Sequence, residues 1–333
     1  MKKISIVFLA IIAVGAGSFF YVRSQMYFSH GSQKENAVFE IEKGQGSAEI
    51  AANLEKKGVI SNKIYFWLYL KKQGLLDNIY PGSYLLNGEM TIPEIAVVIT
   101  NPKKVYEKIT FPEGWTMKLM AEELKKHGFD GDEFLRLTNN PPAEVVSQFG
   151  ALSDKPKTAT LEGYLFPDTY YFSREATPEG ILKKILNNTE MKIDKDLRAE
   201  IKKQGKTVFD MINMASIIER EVGAEKDRKI VSGIFWNRID IGQALQSDAT
   251  LSYILDDKVD AHSVEQTKID SPYNTYLYKG LPAGPIANPG LSAIKAAIYP
   301  EKTNFFYFFT VEGETIFSKT FEEHTANRVK YGI

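Results

Sequence analysis

Two carboxylates, Glu162 and Asp168, stand in the segment "TATLEGYLFPDTYYFS" (158–173), among Tyr164, Phe166, Tyr170, Tyr171 and Phe172. Taking an unpaired carboxylate out of water costs several kcal/mol or forces it to hold a proton. One reading is a half-buried strand and turn with both acids facing solvent. The other is an acid whose apolar shell lifts its pKa toward neutrality, where it can give a proton to a leaving oxygen and take one back. A third carboxylate, Glu219, sits in "TVFDMINMASIIEREVG" (207–223). At helical spacing the apolar stripe runs Val208, Met211, Ile212, Ala215, Ile218 and Val222. Glu219 falls on that stripe, while Arg220 and Glu221 project away. It is either a satisfied structural group or part of a site.

Elimination narrows the chemistry. The chain of 333 residues has no cysteine, which excludes a thiol nucleophile, a cysteine-based metal site and any disulfide. His30, His127, His262 and His324 are far apart in sequence and none has metal-ligand spacing, so no metal and no cofactor is expected. There is no G-x-S-x-G, Walker loop or G-x-G-x-x-G. A net charge of −1, from 41 basic and 42 acidic residues, offers no nucleic-acid footprint. Carboxylate chemistry remains, with Asn, Tyr and Thr for binding. Rings beside an acid suit a carbohydrate, whose C–H faces pack on aromatics while its hydroxyls are read by polar groups. A glycosidase-like enzyme follows; the glycan does not.

The elements that would position these groups read as follows. Lys2 and Lys3 precede an uncharged run, Ile4–Val22, about as long as one hydrocarbon core when helical. It predicts a single transmembrane anchor with the lysines in the cytoplasm and the rest exported. A signal peptide cleaved after Val14-Gly15-Ala16 is the alternative, but the apolar run continues past that point through Val22. Residues 1–23 thus form a cytoplasmic tip and anchor, and 24–36 a polar linker. In 37–104, strands at 37–41 and 82–86 flank helices at 46–60 and 62–74, followed by a helix capped by Thr91, which makes a small α+β module. Residues 105–333 form a larger, mainly helical α+β domain, with Thr177 capping and Pro178 opening one of its helices and Thr207 and Asp210 in capping-box spacing on another. "GLPAGPIANPG" (280–290) predicts an extended, rigid loop of the kind that often lines a site.

Taken together, "LEGYLFPDTYYF", "ASIIEREV", "FWNRIDIGQALQSDATLSY", "SPYNTYLYKGLPAGPIANPGLSAIKAAIYP" and "FSKTFEEHTANR" resemble the endolytic murein transglycosylase family (MltG, or YceG-like), collinearly from about residue 37 to 330. The main departure is Ala283, where many members have proline. The resemblance implies one membrane anchor, a LysM-like module (37–104) and a catalytic domain (105–333) outside the bacterial cytoplasmic membrane. It implies a lyase that cuts the MurNAc–GlcNAc bond within peptidoglycan glycan strands, leaves 1,6-anhydro ends and so limits strand elongation. Its partners would be glycan strands and, as candidates, peptidoglycan synthases (penicillin-binding proteins). The family's catalytic glutamate maps onto Glu162 and its "SI[IV]E" glutamate onto Glu219, a supporting residue. Tyr164, Asp168, Gln246, Ser247, Asp248, Asn274, Tyr276 and Asn288 are the candidate substrate-binding residues, although the Asp168-Thr169 pair after Pro167 also suits a turn. Two other classes stay open: a hydrolase pairing Glu162 with Glu219 or Asp248, and a non-catalytic wall-binding scaffold.

Overall fold

The computed structural model describes residues 2–257, 259 and 262–332, with residues 2–10 as backbone alone. The chain divides into two compact units, Met1–Lys108 with Tyr171–Ala176, and Ile109–Tyr170 with Thr177–Ile333.

The first unit begins with helix α1 (Lys2–Tyr27), which covers the expected anchor. The side chains of residues 2–10, and with them part of the Ile4–Val22 run, lie outside the described residues. Among the described residues no helix is long and apolar enough to cross a membrane. Strand β1 (Ala37–Ile41), helices α2 (Ser47–Lys56) and α3 (Lys63–Gln73), strand β2 (Gly82–Leu86) and helix α4 (Ile92–Ile99) follow, with both strands at the bounds read from the sequence. The sheet runs in the order β1-β2-β3-β4, where β3 is Tyr106–Thr110 and β4 is Thr169–Ser173. β1 and β2 are antiparallel with Phe39 opposite Tyr84, so strand alternation sends Phe39, Ile41, Tyr84 and Leu86 to one face. That face closes over Ile50, Leu54, Phe66, Leu70, Ile95 and Ile99. Local signals set the helix ends. Asn62 accepts from the Ile64 N–H at 2.8 Å, Gly74 stops α3 in the left-handed region, and Thr91 forms a capping box with Glu94.

The second unit is helical around a buried centre. It contains α5 (Met117–Lys126), α6 (Gly131–Asn139), α7 (Ala143–Val146), α8 (Pro178–Lys192), α9 (Lys195–Lys203), α10 (Val208–Glu221), α11 (Glu225–Asp240), α12 (Asp248–Leu255), α13 (Leu291–Ile298) and α14 (Phe321–Lys330). A hairpin of β5 (Tyr307–Val311) and β6 (Glu314–Ser318) turns through Glu312 and Gly313, both at positive φ, as a two-residue loop requires. Helix α10 carries the expected Thr207–Asp210 capping box. It does not bury a single stripe. Every residue from Met211 to Ile218 is buried, because α13, α11 and α12 pack around it, and the small Ala293, Ala296 and Ala297 let α13 approach closely.

One sequence expectation shifts by a few residues. The aromatic segment is not a strand up to Pro167: residues 158–168 form turns, and the strand begins only at Thr169. Gly163 adopts φ +87° and closes a turn in which the Leu161 carbonyl accepts from the Tyr164 N–H at 3.0 Å. Positive φ at the third turn position favours glycine. A methyl added there would also meet the Ile212 side chain at 2.5 Å and Pro285 at 2.6 Å.

Candidate active site

Glu162 lies in the turn segment of the second unit and is 3 % exposed. Its carboxylate accepts from the Met117 N–H (3.0 Å to Oε1 and 3.3 Å to Oε2) and from Asn288 Nδ2 at 2.9 Å. Met117 is the first residue of α5, so the carboxyl faces an open helix N-terminus. Burial and hydrogen bonding oppose each other here. Burial penalises the charged form and dominates, lifting the pKa from the ordinary 4.5 to about 8, while the bonds from Met117, Asn288 and the Gly163 N–H pull it back. Among the described residues none of these direct partners is acidic. At neutral pH Glu162 therefore holds its proton in an uncharged setting.

Asn288 uses its whole amide. Besides bonding Glu162 it donates to the Trp115 carbonyl at 2.9 Å, and its Oδ1 accepts from the Leu165 N–H at 2.9 Å. Its backbone pairs with the same segment, the Asn288 N–H reaching the Trp115 carbonyl and the Gly114 N–H the Asn288 carbonyl, both at 2.9 Å. One residue thus joins the start of α5, the Glu162 turn and the Gly-Pro loop.

That loop is almost wholly buried from Pro282 to Gly290, with Ala283 alone exposed. Buried loops need partners for their backbone groups. Helix α10 supplies them from three residues spaced by three. Asn213 Nδ2 donates to the Pro282 carbonyl at 2.7 Å, Ser216 Oγ accepts from the Ile286 N–H at 3.0 Å, and Glu219 accepts from the Gly290 N–H at 3.0 Å. Glu219 is ion-paired with Arg228 at 2.8 Å, the two side chains 6 % and 8 % exposed. Burial raises its pKa despite the Gly290 bond and the guanidinium. Glu219 thus bonds the backbone of the loop two residues after Asn288, and among the described residues it makes no hydrogen bond to Glu162.

A second cluster forms at the last turn of α10, and it corrects one expectation. Glu221 does not project away. It is half-buried, and its carboxylate takes the Ser247 hydroxyl and lies 3.5 Å from the Ala249 N–H, because the start of α12 covers that side. Burial raises its pKa, with Ser247 opposing. Asp248 lies close to the Tyr276 hydroxyl and bonds His262 (3.2 Å), and His262 also reaches Asp257 at 3.3 Å. Gln246 is exposed and held at φ 51°, a rare conformation for a side-chain-bearing residue, by its N–H on the Thr275 carbonyl at 3.0 Å.

The remaining sequence candidates fall elsewhere. Asn274 is wholly buried, and its amide is used within its own loop, on the carbonyls of Thr267 and Ile269 and the Tyr276 N–H. Tyr164 is equally buried, and its hydroxyl has no hydrogen-bond partner among the described residues. Asp168 is exposed and caps its turn, accepting from the Thr169 N–H at 2.8 Å and Asn188 Nδ2 at 3.0 Å. Sequence reasoning missed Asn213, Ser216 and Tyr253, whereas Tyr273 opens the "YNTY" motif (273–276) that the family resemblance singles out. For the first two a signal existed, polar residues stepping by three toward Glu219 within an apolar helix. Among the described residues no cluster of three or more His, Asp or Glu is arranged to hold a metal ion.

The chain is similar over most of its length to known proteins. A Bacillus subtilis (strain 168) protein named endolytic murein transglycosylase is 32 % identical over 329 residues, 95 % of this chain and 90 % of its own length. A protein of the same name from Streptococcus pneumoniae serotype 2 (strain D39) is 28 % identical over 97 % of this chain, which spans 63 % of that relative. The crystal structure of a YceG-like protein from Listeria monocytogenes superposes with a TM-score of 0.62 at 32 % identity, covering 88 % of this chain and 98 % of that one. The model of the YceG-like family matches residues 39–330, so the chain belongs to the YceG-like family.

Proposed function

We propose that this protein is an endolytic lytic transglycosylase of peptidoglycan, with Glu162 as its single acid and base. The observation that carries the reading is a carboxyl buried among uncharged partners and pushed up to about 8, hence protonated when substrate arrives. The curated relatives of the same family bear the name of that activity. In the first half of the reaction Glu162 gives its proton to the oxygen between MurNAc and GlcNAc as the bond to C1 breaks. In the second, the resulting carboxylate takes the proton of the muramoyl 6-hydroxyl, whose oxygen closes on C1. The proton count balances, no water is consumed, and the second carboxylate that hydrolases need has no task. Glu219 and Asp248, the candidates for it, are engaged with Arg228 and Gly290 and with Tyr276 and His262. Mass spectrometry of products from purified glycan strands tests the reading. Anhydro ends support it; reducing ends would mark a hydrolase, and intact strands a wall-binding scaffold.

The rest of the proposal concerns delivery. Lys2, Lys3 and the uncharged Ile4–Val22 run support a single-pass anchor with residues 24–333 outside the membrane, and a cytoplasm-active reporter fused after Ile333 should stay silent. Residues 37–104 would act as a LysM-like module and 105–333 as the catalytic domain, working with the synthases whose strands are cut. Within the site, Glu219 is a positioning residue, and Gln246, Ser247, Asp248 and Tyr276 would line the strand's path. Glu219→Gln keeps an acceptor for Gly290 but leaves the buried Arg228 without its full counter-charge. Hydrogen bonds to charged groups are worth about 1.5–3 kcal/mol. The variant should therefore fold with a lowered Tm and lose on the order of tenfold in kcat as the Asn288 loop relaxes. Unchanged kcat alongside a lowered Tm would make Glu219 a structural anchor alone.

A further inference from the structure

Tyr253, on α12, and Tyr273, in the loop before the Gly-Pro segment, form a pair at the Glu162 site. Their ring centroids are 5.1 Å apart with the planes tilted 46°, and each hydroxyl lies in the other's surroundings. A short path of contacts leads from Glu162 to them. The neighbouring Gly163 lies so close to Pro285 that an added methyl would meet that ring at 2.6 Å, and a methyl on Gly284 would stand 3.1 Å from the Tyr273 hydroxyl. Both phenols lie within electrostatic reach of the Glu162 carboxyl. Its direct partners Met117, Gly163 and Asn288 are buried, whereas Tyr253 and Tyr273 are only half-buried. Unlike those partners, the pair is reachable from solvent. Burial raises both phenols above their ordinary range, so both stay neutral and serve as hydrogen-bonding groups, not as bases. Each hydroxyl brings one O–H donor and acceptor lone pairs that a ligand hydroxyl can use.

Once the glycosidic bond has broken, two oxygens compete for C1. If the sugar's own 6-hydroxyl wins, its proton goes to Glu162 and an anhydro end forms. If water wins, water's proton goes to Glu162 and a reducing end forms. Both routes balance, and the same carboxylate serves both. We propose that the Tyr253–Tyr273 hydroxyl pair orients the internal hydroxyl onto Glu162 and so sets the preference for ring closure over attack by water. The inference rests on the transglycosylase reading above and assigns the selectivity of that site to two residues.

Tyr253→Phe, Tyr273→Phe and the double variant keep both rings and remove the hydroxyls. Purified glycan strands digested by each variant would be analysed by mass spectrometry for the ratio of reducing to anhydro ends. The expected result is a rise in that ratio of about tenfold or more over wild type, with the double variant no better than the worse single one. Gly284→Ala, whose new methyl crowds the Tyr273 hydroxyl, should shift the ratio the same way and serves if a Phe variant fails to fold. An unchanged product ratio in the folded variants, even with a lowered rate, overturns the proposal. Failure of the underlying reading is separate and visible in wild type, as reducing ends only or no cleavage.

Discussion

Glu162→Gln should lose strand cleavage by at least the 10²–10⁴ typical of a general acid–base group, because in the proposed mechanism one carboxyl serves both halves of the reaction. The glutamine can still accept from the Met117 N–H and from Asn288, so the fold should survive. It should also be more stable than wild type at alkaline pH. With its pKa lifted from 4.5 to about 8, the folded state binds more protons than the unfolded state between those values. This group's contribution to stability is therefore most favourable below the unfolded value, declines as pH rises through the window, and levels off above the folded value, with a slope approaching about 1.4 kcal/mol per pH unit. Glutamine carries no such penalty. Thermal melts of the two proteins from pH 5 to 9 should diverge as pH rises. Parallel melts, or near wild-type cleavage by the variant, would contradict this assignment.

Asn288→Ala should be the next most damaging change. It removes the 2.9 Å bond to Glu162 and the amide that joins the Trp115 carbonyl to the Leu165 N–H. A buried N–H left unpaired costs about 1–3 kcal/mol, so Tm should fall. The bond from Asn288 favours the charged form of Glu162, and its loss lifts the pKa further. The rate should drop at least tenfold through misplacement of the acid, while the alkaline limb of the pH–rate profile moves to higher pH. A limb displaced to lower pH would show that Asn288 holds the neutral form instead.

Much of this arrangement was legible in the sequence, for reasons that can be stated residue by residue. Caps are local, so Thr91, Thr177 and Thr207 mark helix starts without tertiary knowledge. The alternation in 37–41 and 82–86 fixes which side of the small sheet is buried. The outlier quality of Glu162, an acid among rings, was visible in its own segment. What the sequence hid depends on covering elements that are distant along the chain. Helical projection sends Glu221 outward, yet the start of α12 closes over it. Asn274 reads as a binding amide, but its loop folds back and consumes it. The ladder Asn213–Ser216–Glu219 becomes meaningful only once a Gly-Pro loop with unpaired backbone groups lies against α10. Tyr253 lies 91 residues after Glu162 in sequence, and no local pattern couples the two.

The central claim is that Glu162 rests protonated because it is buried, and that its ionisation switches the enzyme off. The most direct measurement follows the δ-carbon of glutamate by 13C NMR as a function of pH, with the Glu162 resonance assigned by its absence in Glu162→Gln. The account predicts a titration midpoint near 8, several pH units above an ordinary glutamate, coincident with the alkaline limb of cleavage by the unmodified protein. A midpoint between about 4 and 5 would mean that the carboxyl is ionised at neutral pH, and the proposed acid could not be Glu162.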